Sequence, residues 1–331
     1  MQLIRGLSNI SAQHRGCVLT IGNFDGVHQG HQAVLAQLKA KAAELQLPAV
    51  VMVFEPQPLE LFAGANAPAR LTRFREKYHW LAQQGIDRMI CVRFDRAFAQ
   101  QAPQQFIEQL LLDKLAVQHL IVGDDFCFGK NRAGNYALLA KAAAEFGFGL
   151  TSTESLRQQN QRVSSTLIRE ALAANDLAGA AQMLGRPFSL MGRVRHGEKI
   201  GRQLGFPTAN VWLYRQRLPL RGVFAVDADT PYGRLQGVAN IGCRPTLQGK
   251  QEQLEVHFFA FQGDLYGAQL HVRLCHKLRA EQQFSSLAAL QDQIQRDVAA
   301  AQHYFRHAQV ATNHDLAQAW PASQQTEQTD E

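Results

Sequence analysis

The feature that most limits what this chain can fold into is a change of rhythm past its midpoint. Apolar runs at 17–21, 49–54, 88–94, 119–122 and 149–152 start about 30 to 40 residues apart, with helix-length segments between most of them. That alternation reads as βαβ units, in which each crossover returns the chain to the same end of a parallel sheet. Val34, Leu35, Leu38, Ala42 and Leu45 fall on one helical face between the first two runs. Pro48 ends that segment before the next strand. From 184–187 onward the runs become short and are separated by Gly and Pro, at 188–194, 223–226, 235–239, 254–259 and 269–274. This spacing predicts a small antiparallel barrel. Leu287, Leu290, Ile294, Val298 and Phe305 then recur at helical spacing and predict one C-terminal helix packed on the barrel.

The predicted fold class is therefore α/β: a Rossmann-like, doubly wound parallel sheet over 1–183, then a β-barrel with its helix over 184–310. The polar, aperiodic stretch 311–331 is expected to be disordered. A length of 331 residues agrees with about two domains. A hydrophobic share of 46% with 19% charged residues excludes global disorder and fibrous architectures.

Charge and cysteine usage narrow the function classes. The 34 Lys and Arg against 28 Asp and Glu leave a formal charge of +6, spread along the chain without a dense basic block. Such a balance suits small anionic ligands and does not form the clustered stripe of a nucleic-acid binder. Cys17, Cys91, Cys127, Cys243 and Cys275 are scattered and form no C-x-x-C pair, which argues against a zinc site or disulfide framework. The first ten residues hold no apolar signal core, and no run is long enough to cross a bilayer. A reducing cytoplasm is the expectation, and no nucleic acid, membrane or obligate protein partner is indicated.

Two sets of motifs carry chemistry. The first, Gly22-Asn23-Phe24-Asp25-Gly26-Val27-His28-Gln29-Gly30-His31, follows the first long strand directly. A strand, a Gly-rich turn and a helix start make an anion site at the carboxyl edge of a parallel sheet. The turn is neither a Walker loop nor G-x-G-x-x-G. Its histidines, three apart, can face one ligand; they can equally be satisfied polar groups of a tight turn, or a zinc pair that lacks an evident third ligand. Val163-Ser164-Ser165-Thr166-Leu167-Ile168-Arg169 follows the last strand of this half. Ser164 or Ser165 suits an N-cap, while hydroxyls, N–H groups and an arginine also suit a triphosphate shedding pyrophosphate.

In the second set, Thr208 and Asn210 of Gly205-Phe206-Pro207-Thr208-Ala209-Asn210 offer hard oxygen donors for magnesium and phosphate, although Pro-Thr-Ala-Asn alone also reads as an ordinary turn. In Leu254-Glu255-Val256-His257, strand alternation puts Glu255 and His257 on one face. A carboxylate there can accept a proton from an attacking hydroxyl.

The H-x-G-H turn and the serine-rich helix start resemble the nucleotidyltransferase superfamily, which is related to the class I aminoacyl-tRNA synthetases. The order of 22–31, Phe54-Glu55-Pro56-Gln57-Pro58, Val122-Gly123-Asp124-Asp125-Phe126 and 164–169 is similar to the adenylyltransferase half of the bacterial bifunctional riboflavin kinase/FAD synthetases. Cys127 departs from that family, which often has a basic or polar residue there. In the second half the P-T-A-N run, 192–205 with Gly201, 237–246 and Leu265-Tyr266-Gly267 resemble flavokinases.

The resemblance implies two reactions on one metabolite, with Mg2+ and ATP and with flavins as substrate and product: riboflavin to FMN, then FMN to FAD with release of pyrophosphate. It implies that Glu255 is the catalytic carboxylate of the kinase, that Gly201, Thr208 and Asn210 bind ATP and metal, and that Arg279 approaches the flavin. For the adenylyl step it implies catalytic His28 and His31. Gly22, Asn23, Phe24, Asp25, Gly26, Asp125, Ser164, Ser165, Thr166 and Arg169 complete the ATP site. Phe62 and Phe128 can stack on the isoalloxazine ring or take the commoner place of Phe in an aromatic core. The other readings are a flavin-binding sensor with one or both sites inactive, and an adenylyltransferase for another substrate.

Overall fold

Every position of strand β2 (Cys17–Ile21) is buried, as a strand covered on both faces must be. Its alternate side chains enter two different cores. Cys17, Leu19 and Ile21 pack in one with Leu110 and Leu139; Val18 packs in the other with Leu35, Leu38 and Leu81. β3 (Ala49–Glu55) divides in the same way, with Val50 and Met52 on one face and Val51 and Val53 on the other. The computed structural model describes all residues except 154–156, 159–160, 198–199, 216, 247–248 and 319–331. It divides into two units, Met1–Phe188 with Arg215–Pro219, and Ser189–Tyr214 with Leu220–Glu331.

The first unit is a parallel sheet of six strands in the order β1-β4-β3-β2-β5-β6. The other strands are β1 (Gln2–Arg5), β4 (Arg88–Arg93), β5 (Val117–Gly123) and β6 (Gly149–Thr153). β1 is absent from the sequence expectation because only Ile4 of its four residues is buried, so it carries no apolar run. Helices α1 (Gln29–Leu45), α2 (Pro58–Ala63), α3 (Phe74–Gln83), α4 (Arg96–Ala99), α5 (Pro103–Gln105, continued with wider turns to Lys114), α6 (Tyr136–Phe146), α7 (Ser165–Ala173) and α8 (Leu177–Leu184) complete it. Strands β7 (Arg157–Gln158) and β8 (Gln161–Arg162) form a separate hairpin. β2 lies between β3 and β5, where the strand order changes direction. Ligands of open parallel sheets bind at that switch point, beyond the carboxyl ends of the strands. The turns after β2 and β5 are the ones placed there.

The second unit is a closed antiparallel barrel ordered β10-β13-β12-β11-β14-β9. Its strands are β9 (Ser189–Arg195), β10 (Ala209–Trp212), β11 (Gly222–Thr230), β12 (Gly233–Thr246), β13 (Gly249–Phe258) and β14 (Gln269–Arg279), with helices α9 (Ile200–Gln203) and α10 (Leu287–Gln318). β10 is the sixth strand, and it lies where the sequence alone suggested a turn. Its pairing with β9 and β13 is wholly non-local, so no local pattern announces it. Val223, Ala225 and Val238 of the barrel pack with Ala301 and Phe305 of α10. α10 runs on to Gln318, past the end at 310 expected from the sequence, through residues such as Ala311, Leu316 and Ala317 that favour helix. The rest of the tail expected to be disordered, 319–331, lies outside the described residues.

Candidate active sites

The turn after β2 starts as an extension of the sheet, with Gly22 N–H donating to Met52 O at 3.1 Å. It then closes through positive φ at Phe24 (47°), Gly26 (87°) and Val27 (41°). Gly26 suits that backbone, and a Cβ there would also lie 2.9 Å from Leu71 Cδ1. Val27 takes the same region although a β-branched residue rarely does, a strain found chiefly at functional sites. His28 caps α1, its Nδ1 accepting the His31 backbone N–H at 3.3 Å. The two imidazoles stack with centroids 3.6 Å apart and planes at 20°, and the Phe24 ring lies 4.9 Å from His31.

Asp25 is the hub of this turn and points inward, at 3% exposure. Leu71 and Thr72 N–H groups donate to its carboxylate at 3.1 and 2.9 Å, and the Thr72 hydroxyl at 3.1 Å. Arg169 pairs with it and also donates to Ala69 O at 2.6 Å. Burial would raise the Asp25 pKa, but the Lys77 and Arg169 cations and the two amides outweigh it and hold it below the ordinary value. The Ser165 hydroxyl donates to Asp25 O at 2.8 Å, while Ser164 takes the N-cap of α7 from Leu167 N–H at 3.3 Å. The two motifs, about 140 residues apart in sequence, are thus one hydrogen-bonded structure.

The remaining predicted residues of this unit divide. Asn23 and Thr166 are exposed, and Asp125 is exposed in the turn after β5. Phe62 is 68% exposed on α2, edge-on to Phe94 at 6.0 Å. Phe128 is in the core, 5.1 Å from Phe106 and stacked on Phe126 at 5.6 Å. Its ring is largely buried among these aromatics. Asp25 and Arg169 engage each other beneath the turn.

Sequence reasoning missed three cations here. Lys77 of α3 is wholly buried, at 0% exposure. Arg186 donates to Val27 O and Leu184 O at 3.1 Å each and lies 3.9 Å over the Trp80 ring. Arg215 forms an ion pair with Glu76 that leaves the two side chains 2% and 3% exposed. Only Lys77 had a signal: it interrupts the stripe Phe74–Lys77–Leu81 on the buried face of α3.

In the barrel unit, Gly201, Thr208, Asn210, Glu255, His257 and Arg279 share the lining of one cavity of about 360 Å³. Glu255 is flanked in register by Asn210 of β10 and Asn240 of β12. Gln253, two residues earlier on β13, donates from Nε2 to Asn210 Oδ1 and Glu255 Oε1, both at 2.8 Å. His257 Nδ1 lies 3.0 Å from Pro207 O, tying β13 to the start of the Pro-Thr-Ala-Asn run. A Cβ at Gly201 would lie 2.5 Å from Phe206 O, so only glycine lets α9 pack this close to Thr208. Arg279 is held by Asp297 of α10, with Nε–Oδ1 at 2.9 Å and Nη2–Oδ2 at 2.8 Å, and by the Phe284 ring at 5.7 Å. A larger, open depression of about 630 Å³ in the first unit, near Gly6, Arg93 and Phe98, includes none of the predicted residues.

A histidine-bearing turn at the switch point of a parallel sheet in one unit, and a barrel cavity lined by Thr208, Asn210 and Glu255 in the other, fit a two-domain enzyme of nucleotide chemistry. Family comparison agrees: residues 10–167 match the FAD synthetase family and residues 184–305 the riboflavin kinase family. The chain belongs to the bifunctional riboflavin kinase/FMN adenylyltransferases. It is 53% identical over 310 residues to the Escherichia coli K12 protein of that description, covering 92% of this chain and 98% of the relative. The Haemophilus influenzae protein is 50% identical over 306 residues, covering 92% and 99%. A crystal structure described as a macrolide-efflux protein from Streptococcus pneumoniae matches with a TM-score of 0.77 at 26% identity, over 90% of this chain and 97% of that one. Among the described residues no helix is long and apolar enough to cross a membrane.

Proposed function

We infer that the barrel unit phosphorylates riboflavin with ATP to give FMN and ADP, and that the parallel-sheet unit transfers AMP from a second ATP to FMN, giving FAD and pyrophosphate. The observation that carries the first half is the meeting of Gly201, Thr208, Asn210 and Glu255 in one cavity. Riboflavin offers a neutral primary hydroxyl, which must lose a proton as it attacks. We assign that role to Glu255, to which Gln253 Nε2 donates at 2.8 Å. The Thr208 hydroxyl and the Asn210 amide, neutral oxygen donors beside that carboxylate, fit a magnesium ion carried with the nucleotide. When bound, the ion would offset charge on the transferring phosphoryl group.

The adenylyl step needs no base, because FMN already carries an ionised phosphate. Its obstacle is repulsion between anions and the charge that builds on pyrophosphate, so hydrogen-bond donors at the turn are the useful groups. His28 and His31 at the start of α1 have that character, as does the N-terminal end of the helix. Both reactions draw on ATP, which suits a cytoplasmic enzyme.

One incubation of the purified chain with riboflavin, ATP and magnesium, with flavins separated by chromatography over time, tests the reading. FMN followed by FAD is the expected result. FMN alone removes the adenylyl assignment, and flavin binding without turnover favours a sensor.

A further inference from the structure

The ladder between β10 and β13 opens at Ala209 opposite Val256 and continues with Asn210 opposite Glu255. Pro207 and Thr208 lie just before it. Their backbone has to be placed by something other than strand pairing, and Pro207 brings no N–H of its own. Yet the Thr208 side chain lines the same cavity as Asn210 and Glu255. Contacts from two directions flank it. On the side of α9, Phe206 N–H donates to Gly201 O at 2.7 Å. On the side of β13, the His257 ring reaches Pro207 O, with Nδ1 at 3.0 Å.

A carbonyl oxygen can only accept, so the proton of this bond sits on His257 Nδ1. A neutral ring then has Nε2 as its acceptor. The ring stands edge-on to Phe206 at 5.4 Å and to Phe259 at 6.4 Å, with interplanar angles of 83° and 67°. Such edge contacts favour one ring direction. His257 shares its strand face with Glu255, two residues earlier on β13. One strand thus carries both the carboxylate and the group that holds the turn facing it. Continuing the β10–β13 register by one residue sets Thr208 opposite His257. The His257 side chain therefore extends the pairing past the point where the backbone ladder stops.

We propose that His257 is a positioning residue of the kinase site, its Nδ1–H holding the Pro207 carbonyl so that the Thr208 hydroxyl stays beside Asn210 and Glu255 to meet the phosphates of the nucleotide. This rests on the assignment of riboflavin phosphorylation to the barrel unit. A histidine that touched substrate would use its other ring nitrogen, Nε2, and the two roles call for different replacements. The amide nitrogen of an asparagine stands near the place of Nδ1, and that of a glutamine near the place of Nε2.

Histidine ring nitrogen NMR on the full chain, at about pH 8 and so above the ordinary imidazole range, gives the tautomer without turnover. His257 should be a neutral ring protonated on Nδ1. In riboflavin phosphorylation at fixed magnesium, His257→Phe should raise KM for ATP about threefold to tenfold, the scale of one lost neutral hydrogen bond. KM for riboflavin should hardly move. His257→Gln should resemble His257→Phe, and His257→Asn should stay near wild type. FAD formation from supplied FMN should be unaffected in all three. A neutral His257 protonated on Nε2 overturns the proposal, even if no variant folds. So does a folded His257→Asn that is no better than His257→Phe, and so does an equal rise in both KM values. Rescue by glutamine in place of asparagine also overturns it, in favour of a direct contact with substrate. A wild-type chain that forms no FMN overturns the kinase assignment instead, and the tautomer is measured either way.

Discussion

Asn210 and Glu255 stand directly opposite each other on β10 and β13. Opposed residues of an antiparallel pair share a face, so the register of two strands sets the distance between an expected metal ligand and an expected base. Removing the base should therefore separate the two activities. Glu255→Ala should lower FMN formation by about 100-fold or more and leave FAD formation from supplied FMN intact. Chromatographic assay of both steps on one preparation checks this, and equal loss of both would defeat the division of labour.

Gln253 bonds to both members of that pair at 2.8 Å. Gln253→Ala should cost the kinase about 10-fold in kcat, the scale of one lost hydrogen bond to a charged group, with a smaller change in KM for riboflavin. Gln253→Glu should be worse, because it sets a second carboxylate beside Glu255. Steady-state kinetics decides; an unaltered kcat in Gln253→Ala would leave Gln253 without a role at the site.

The double variant His28→Ala, His31→Ala should abolish FAD formation and spare the kinase. Continued FAD formation would reject the phosphate role of the pair. Because His28 also caps α1, unfolding of the double variant should be followed alongside, with a cost of about 1 kcal/mol expected for the lost cap.

Arg169→Met leaves the buried carboxylate of Asp25 without its ion-pair partner, with the Lys77 charge still acting on it. A loss of about 3 kcal/mol in stability is expected, and adding Asp25→Asn should recover part of it; urea unfolding of the three proteins measures both. The folded pKa of Asp25 lies below its unfolded value. The stabilisation is therefore fully present above the unfolded carboxylate pKa of about 3.9 and is lost as pH falls through the lower folded value.

What could be read in advance follows from where each signal resides. β2 and β3 were legible because a strand buried on both faces is a continuous apolar run. β1 and β10 were not, since one has a single buried residue and the other owes its strand form to β9 and β13. Thr208, Asn210 and Glu255 were legible as residue types in a known order, and they share one cavity. Gln253 was not, because a glutamine on a strand carries no motif. The chemistry of Asp25 and Arg169 was visible but their direction was not: facing a ligand and facing each other look the same in sequence. The packing of Phe128 against Phe106 and Phe126 carried no local signal either.

The segment Arg215–Pro219 counts with the first unit although the residues on either side of it belong to the second. For anyone wishing to dissect the enzyme, this means that a fragment ending at Phe188 is not the first unit minus a linker. It lacks Arg215, the ion-pair partner of Glu76, which is 2% exposed in the intact chain. Such a fragment should be less stable than the same unit in the intact chain by about 3 kcal/mol, and Glu76→Gln within the fragment should restore part of the difference. A gene cut between the two activities would thus have to mend a charge as well as choose a boundary.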